Sequence, residues 1–180
     1  MSGLRLSPEL VAWAELAAAL VNTRPRETDP PEKLVGPADV EALLATCPEP
    51  PRVVDERDVP ALRALRPQLL AAFEAGSVEA FAAAVNPLFD QGATHWRVAR
   101  DERGEWALRP LTENGAATWF GARAAHALAE LVLAYGIERL HVCSADDCLC
   151  AVVDVSRNGT RRYCSRTCAS RMNVRRHRRR

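Results

Sequence analysis

"CSADDCLCAVVDVSRNGTRRYCSRTC", residues 143–168, holds five of the chain's six cysteines, and their grouping decides the fold. Four residues separate Cys143 from Cys148, three separate Cys164 from Cys168, and fifteen lie between the pairs. This pair–gap–pair spacing suits one tetrahedral Zn2+ held by four thiolates. A short knuckle loop brings the first two sulfurs together. The second two are four positions apart across a helix start, which places them on one face. Cys143, Cys148, Cys164 and Cys168 are therefore the expected ligands. Cys150 stays open as an alternative, because on a strand it shares a face with Cys148. Pairing it with Cys148 would idle Cys143 and give a cramped Cys-x-Cys bite. A disulfide set or reactive thiols are the competing readings, and a reducing compartment disfavours disulfides. His141 is too near Cys143 to be needed, and His177 lies over two turns past Cys168. Cys47, between a helix and a proline-rich loop, reads as a plain thiol.

The gap between the pairs has its own pattern. Residues up to Val155 are apolar and β-branched, Ser156-Arg157-Asn158-Gly159 is turn chemistry, and Thr160 to Tyr163 returns. A β-hairpin joining the two ligand pairs is the expectation. Ser165 can then cap a helix running to the C-terminus. Knuckle, hairpin and helix make a treble-clef-like finger over 139–180. A module this small buries too little apolar area to stand alone, so metal is expected to supply the missing stability.

Charge separates this finger from the rest. No acid follows Asp154, whereas ten arginines do. The whole chain sets 24 basic against 23 acidic residues, so the preceding part holds 14 basic residues against all 23 acids, a net of −9. An acidic body with a basic end points to a polyanion partner for the end only. Four thiolates and Zn2+ carry a formal −2, which arginines offset, but ten exceed what one site needs. On the terminal helix Arg171, Arg175 and Arg178 form one stripe with Arg176, Arg179 and Arg180 beside it. Arg161, Arg162 and Arg166 precede that stripe or open the helix. These arginines, from Arg161 through Arg179, are the candidate nucleic-acid contacts, with DNA the favoured partner. A solvated basic tail is the bland alternative. Ala169, Met172 and Val174 are left for packing.

The body, residues 1–138, reads as mostly helical. Ser7-Pro8-Glu9 is a helix start, and Leu10, Trp13, Ala14, Ala17, Leu20 and Val21 recur at helical spacing. Further helices are expected over 37–46, about 59–75, about 77–90 and 112–135. Gly136 ends the last of these. Between them, about 94–111, two alternating runs flank Asp101-Glu102-Arg103-Gly104 and read as a β-hairpin. The fold class is mainly α with a small β-hairpin (α+β). No run approaches a membrane span, and the early apolar segment carries Glu15 and lacks a basic leader, so it reads as a mature helix. A cytoplasmic protein follows, nucleoid-associated if it binds DNA.

The residues also resemble a family. Cys143-x4-Cys148, Asp154-Val155-Ser156-Arg157-Asn158, Arg161-Arg162-Tyr163-Cys164-Ser165 and Val174-Arg175-Arg176-His177-Arg178 resemble the bacterial CGNR zinc finger. The name-giving tetrad stands here as Cys168-Ala169-Ser170-Arg171, with its Cys and Arg ends retained. The body is similar to the ABATE-type domain that precedes this finger and carries an early Asn-Thr-Arg, here Asn22-Thr23-Arg24. The resemblance implies a stress-related transcription regulator: finger as DNA-binding element, body as sensing or assembly module. Asn22 and Arg24 are also candidates for a pocket that takes an anionic small molecule, with a helix-terminal Asn beside a plainly exposed Arg as the favoured alternative. A homodimer is expected, since one finger binds weakly. Two other readings remain open, a zinc-thiolate redox switch using Cys150 and an RNA- or ribosome-associated module. An enzyme is the least expected, because four cysteines close the zinc and no nucleophile or phosphate-loop motif is present.

Overall fold

A computed structural model of the chain describes residues 7–24, 32–47, 54–91, 95–100, 104, 106–111 and 115–178. The first helix, α1 (Pro8–Asn22), begins where Ser7 caps it, the Ser7 hydroxyl accepting from the Leu10 amide at 3.2 Å. Next come α2 (Pro37–Leu44), α3 (Asp58–Glu74) and α4 (Val78–Gln91). Ser77 caps α4 through the Ala80 amide. The strands β1 (His95–Arg100) and β2 (Trp106–Leu111) pair antiparallel, with Val98 opposite Leu108 and Arg100 opposite Trp106. Most of the turn expected between them, 101–103, lies outside the described residues. Helix α5 (Ala116–Tyr135) starts with its Ala116 amide on the Asp58 carboxylate and stops at Gly136, whose φ of 95° only glycine adopts readily. Two short antiparallel strands, β3 (Leu140–Val142) and β4 (Ala151–Val153), precede α6 (Arg166–Arg178).

The expected fold class holds: mainly helical, with small antiparallel strand pairs and a terminal cysteine cluster. Trp13 is 1% exposed and sits edge-on to Trp119 and Phe120, with ring centroids 4.8 and 5.6 Å away. Around them α1, α3, α4 and α5 pack together. Burying aromatic and leucine side chains at this density is the main stabilising force. At the edge of the core, Arg66 forms a two-pronged bond to Glu32, 2.8 and 2.7 Å. That contact holds the Glu32 carboxyl down at about 2 against the burial that would raise it.

The finger does not stand apart from this core. Leu140, Ala151 and Val153 belong to the same buried cluster as Trp13, Leu20, Phe73 and Phe120. The β3–β4 ribbon lies against α1 and α3. By contrast, α6 packs substantially against no other helix or strand among the described residues, and Cys168 is its only buried residue.

One local expectation is corrected. The hairpin read across the gap does not form, because β4 pairs with β3 and not with 160–163. Asp154 is the reason. Its carboxylate is 1% exposed and accepts from the Ser156 amide at 2.8 Å and the Arg161 amide at 2.7 Å. The returning chain is thus held by a side chain and needs no ladder. Buried Arg139 donates to the Asp154 carbonyl at 3.1 Å and to that of Ser156. The Asn158-Gly159 turn is present, with Gly159 at φ 62° packed under the Arg139 guanidinium.

Candidate metal centre

The first ligand pair sits on the loop between β3 and β4. The Cys143 amide donates to the Cys150 carbonyl at 2.8 Å, and the Cys148 amide to the Ala145 carbonyl at 2.9 Å, which folds the knuckle tightly. The second pair flanks the start of α6. Ser165 caps that helix through the Cys168 amide at 3.2 Å, so Cys164 and Cys168 point the same way. The two halves are stitched by the Ser144 amide on the Arg162 carbonyl, 2.9 Å, and the Cys164 amide on the Cys143 sulfur, 3.4 Å.

The four sulfurs of Cys143, Cys148, Cys164 and Cys168 all lie within 4.8 Å of one another. Cys148 and Cys164, and Cys164 and Cys168, are each 3.6 Å apart. Zn–S bonds of about 2.3 Å in a tetrahedron require edges of roughly 3.8 Å. Donor type, number and spacing therefore fit one zinc ion. Without metal, burial pushes the Cys143 and Cys164 thiols up to about 12. Burial acts the same way on Cys148, but hydrogen bonds from the Cys150 backbone and side chain and from neighbouring thiols outweigh it and bring Cys148 down to about 7. Cys143, Cys148, Cys164 and Cys168 would hold the zinc as thiolates, so binding would release the protons that the buried thiols carry. The Arg171 guanidinium lies 3.7 Å from the Cys168 sulfur, where its charge favours thiolate. Cys47 is elsewhere, buried beside α1 and α5, and burial raises it to about 12.

The model of the CGNR zinc finger matches residues 139–180, and the ABATE model, described as "Putative stress-induced transcription regulator", matches residues 14–135. The chain belongs to the ABATE family. No curated protein matches it significantly. The ABATE domain thus spans the helical body and hairpin, and the CGNR finger begins at Arg139, whose guanidinium anchors the Asp154 turn. The cysteine quartet is that finger's zinc site, for one ion per chain. No helix among the described residues is long and apolar enough to cross a membrane.

The arginines named from sequence fall into distinct settings. Arg161 folds back on the finger, its guanidinium reaching the Tyr163 carbonyl at 3.3 Å and that of Cys164 at 3.0 Å. Arg171 pairs with Asp147 at 2.6 Å and Arg175 with Asp146 at 2.8 Å. Arg162, Arg166, Arg176 and Arg178 are exposed, and no ion-pair partner of theirs is found among the described residues. Arg179 lies outside the described residues. Met172 is half-buried against the cysteine cluster, whereas Val174 is 51% exposed and does not pack.

Asn22 and Arg24 lie at the seam between the ABATE domain and the finger. Asn22 lines a small crease there with Glu15, Ala18, Ala19 and Arg161. The polar atoms of Asn22 bond to the backbone of Ala151, and the Arg24 guanidinium bonds to the Leu149 carbonyl. Sequence reasoning missed Asp146 and Asp147 as partners of the helix, and Arg139 and Asp154 as the pin of the finger. A signal for Asp154 existed: Asp-x-Ser ahead of Asn-Gly is the pattern of a side-chain-closed turn.

Proposed function

We propose that the chain is a zinc-dependent DNA-binding regulator in which α6 of the CGNR finger contacts the duplex. The observation that carries this reading is the placement of α6. It is held at its start by two zinc-ligating cysteines and is otherwise exposed, with Arg166, Arg176 and Arg178 facing solvent. A rigid basic helix of 13 residues, presented clear of an acidic body, suits the phosphates flanking a major groove. The family description as a transcription regulator supports the same reading. The ABATE domain then serves as the sensing or assembly part.

The test is salt-titrated binding of zinc-loaded protein to duplex DNA fragments. Log affinity should fall linearly with log salt, by about 0.9 per phosphate neutralised. Arg176→Ala should lower that slope by about 1 and weaken all sequences alike. Zinc-loaded protein without salt-dependent duplex binding would refute the proposal and move the arginines to RNA or protein.

A second reading, a zinc-thiolate redox switch, rests on Cys150. Cys150 is packed against the buried cluster that holds Cys143, Cys148 and Cys168, so a fifth thiol lies beside the quartet. Peroxide would oxidise a ligand thiolate to sulfenic acid, which Cys150 would condense with to a disulfide, releasing water and zinc. Zinc release by peroxide that is slowed in Cys150→Ser and reversed by dithiol supports this; equal release in both proteins removes it.

A further inference from the structure

Asn22-Thr23-Arg24 closes α1, more than a hundred residues before the finger. Yet its side chains reach into the chain that carries the knuckle. Asn22 Nδ2 donates to the Ala151 carbonyl at 3.0 Å, and its Oδ1 accepts from the Ala151 amide at 2.8 Å. Arg24 Nη2 donates to the Leu149 carbonyl at 2.7 Å. Thr23 turns its hydroxyl back onto the Leu20 carbonyl at 2.6 Å and fixes the helix end from which the other two project.

These contacts have a physical logic. β4 has β3 on one side only, so its other edge would leave backbone groups unpaired. The Asn22 amide offers one donor and one acceptor side by side and closes that edge as a neighbouring strand would. Leu149 follows the ligand Cys148 directly, and Ala151 opens β4. The clasp therefore grips both sides of Cys150, whose carbonyl closes the knuckle on the Cys143 amide. The conformation of 148–151 sets where the Cys148 sulfur points.

We propose that Asn22 and Arg24 are positioning residues for the zinc site: they hold residues 148–151 so that Cys148 meets the metal, and they tie zinc retention to the end of α1. The inference rests on the zinc reading and not on DNA binding. Its consequence is a route from body to finger. A ligand or second subunit that shifts the end of α1 changes zinc retention, and with it the anchorage of α6. By reciprocity, zinc loading tightens the clasp.

Zinc release from the full chain to an excess of chromogenic chelator, without nucleic acid, tests this. Partners that orient a metal ligand from outside the coordination shell are typically worth 10–100-fold in metal affinity. Asn22→Ala should release zinc about tenfold faster by that measure, and the more exposed Arg24→Ala a few-fold faster. Arg24→Ala keeps the test valid if Asn22→Ala folds poorly. A second readout separates positioning from plain packing. Zinc should raise the melting temperature of the parent chain more than that of Asn22→Ala, whereas a packing residue would lower metal-free and zinc-loaded forms equally. Faster release with a reduced zinc-dependent shift supports the clasp. Release at the parent rate in both variants overturns it, and a parent chain that binds no zinc overturns the zinc reading first.

Discussion

Removing zinc from the full chain should unfold α6 and little else. Ordering each residue of this helix costs roughly 1–2 kcal/mol in backbone entropy. Helical hydrogen bonds return about that much, so an isolated helix of 13 residues is marginal. The remaining contributions are small. The Ser165 cap is worth about 1 kcal/mol. The exposed pairs Arg171–Asp147 and Arg175–Asp146 add at most about 1 kcal/mol each. Arg171 beside Arg175, and Arg175 beside Arg178, repel at about 0.2–0.5 kcal/mol each. Burial of Cys168 and part of Met172 contributes roughly 2–3 kcal/mol before side-chain ordering is counted. A structural zinc site is worth about 10 kcal/mol or more. Metal therefore decides whether α6 is helical. The β3–β4 ribbon is different, because Leu140, Ala151 and Val153 share the body core and Arg139 pins the following turn. Chelation should cost far-UV circular dichroism worth 13 helical residues and leave the near-UV signal of Trp13 and Trp119 unchanged. Trypsin should then cut after the arginines beyond Tyr163 and spare the body. Cooperative unfolding of the whole chain on chelation, or full retention of α6 helicity, would refute this reasoning.

Three further outcomes follow from particular contacts. Glu32→Gln should destabilise the protein by about 2–3 kcal/mol at neutral pH, because it leaves Arg66 buried beside a neutral group. Since the Glu32 carboxyl is held at about 2 when folded against 4.5 in the open chain, its contribution is complete above 4.5. It is lost as pH falls towards 2, so the two stability curves should converge there in denaturant titrations. Trp13→Ala removes both edge-on ring contacts from the centre of the core and should cost about 3–5 kcal/mol by chemical denaturation. Asp146→Asn with Asp147→Asn frees Arg175 and Arg171, and the salt slope of duplex binding should steepen, by up to about 0.9 for each arginine that reaches a phosphate.

Several of the body's helices were legible because they carried their own punctuation. Ser7-Pro8 and Ser77 mark starts, Gly136 marks a stop, and the apolar spacing between them is helical. Pro67 and Pro87 fall inside α3 and α4 without ending them. Packing of Leu62, Leu65 and Leu69, and of Phe81, Val85 and Leu88, outweighs the local penalty of about 3 kcal/mol. The ligand quartet was legible for a related reason: coordination geometry leaves few spacings, and those spacings appear in the sequence. The partner of β4 was not legible. An apolar run followed by Asn-Gly looks the same whether the strand pairs forward or backward. What decides it is Asp154, which satisfies the returning chain's amides, and β3, which offers an edge already anchored on α3.

The same distinction explains why the finger looked self-contained in sequence and is not so in structure. Pattern reading sees periods and spacings along one segment. It does not see a side chain more than a hundred residues away completing that segment's hydrogen bonds. Asn22 on Ala151 and Arg24 on Leu149 are contacts of that kind. Asp146 and Asp147 are the local counterpart. The basic end contains no acid of its own, but the knuckle places two carboxylates against Arg175 and Arg171 before any polyanion arrives. A phosphate competing for those arginines must displace exposed ion pairs worth at most about 1 kcal/mol each. The knuckle thus orients the helix that it partly neutralises, and in the proposed duplex complex the solvent-facing arginines at 166, 176 and 178 would make first contact.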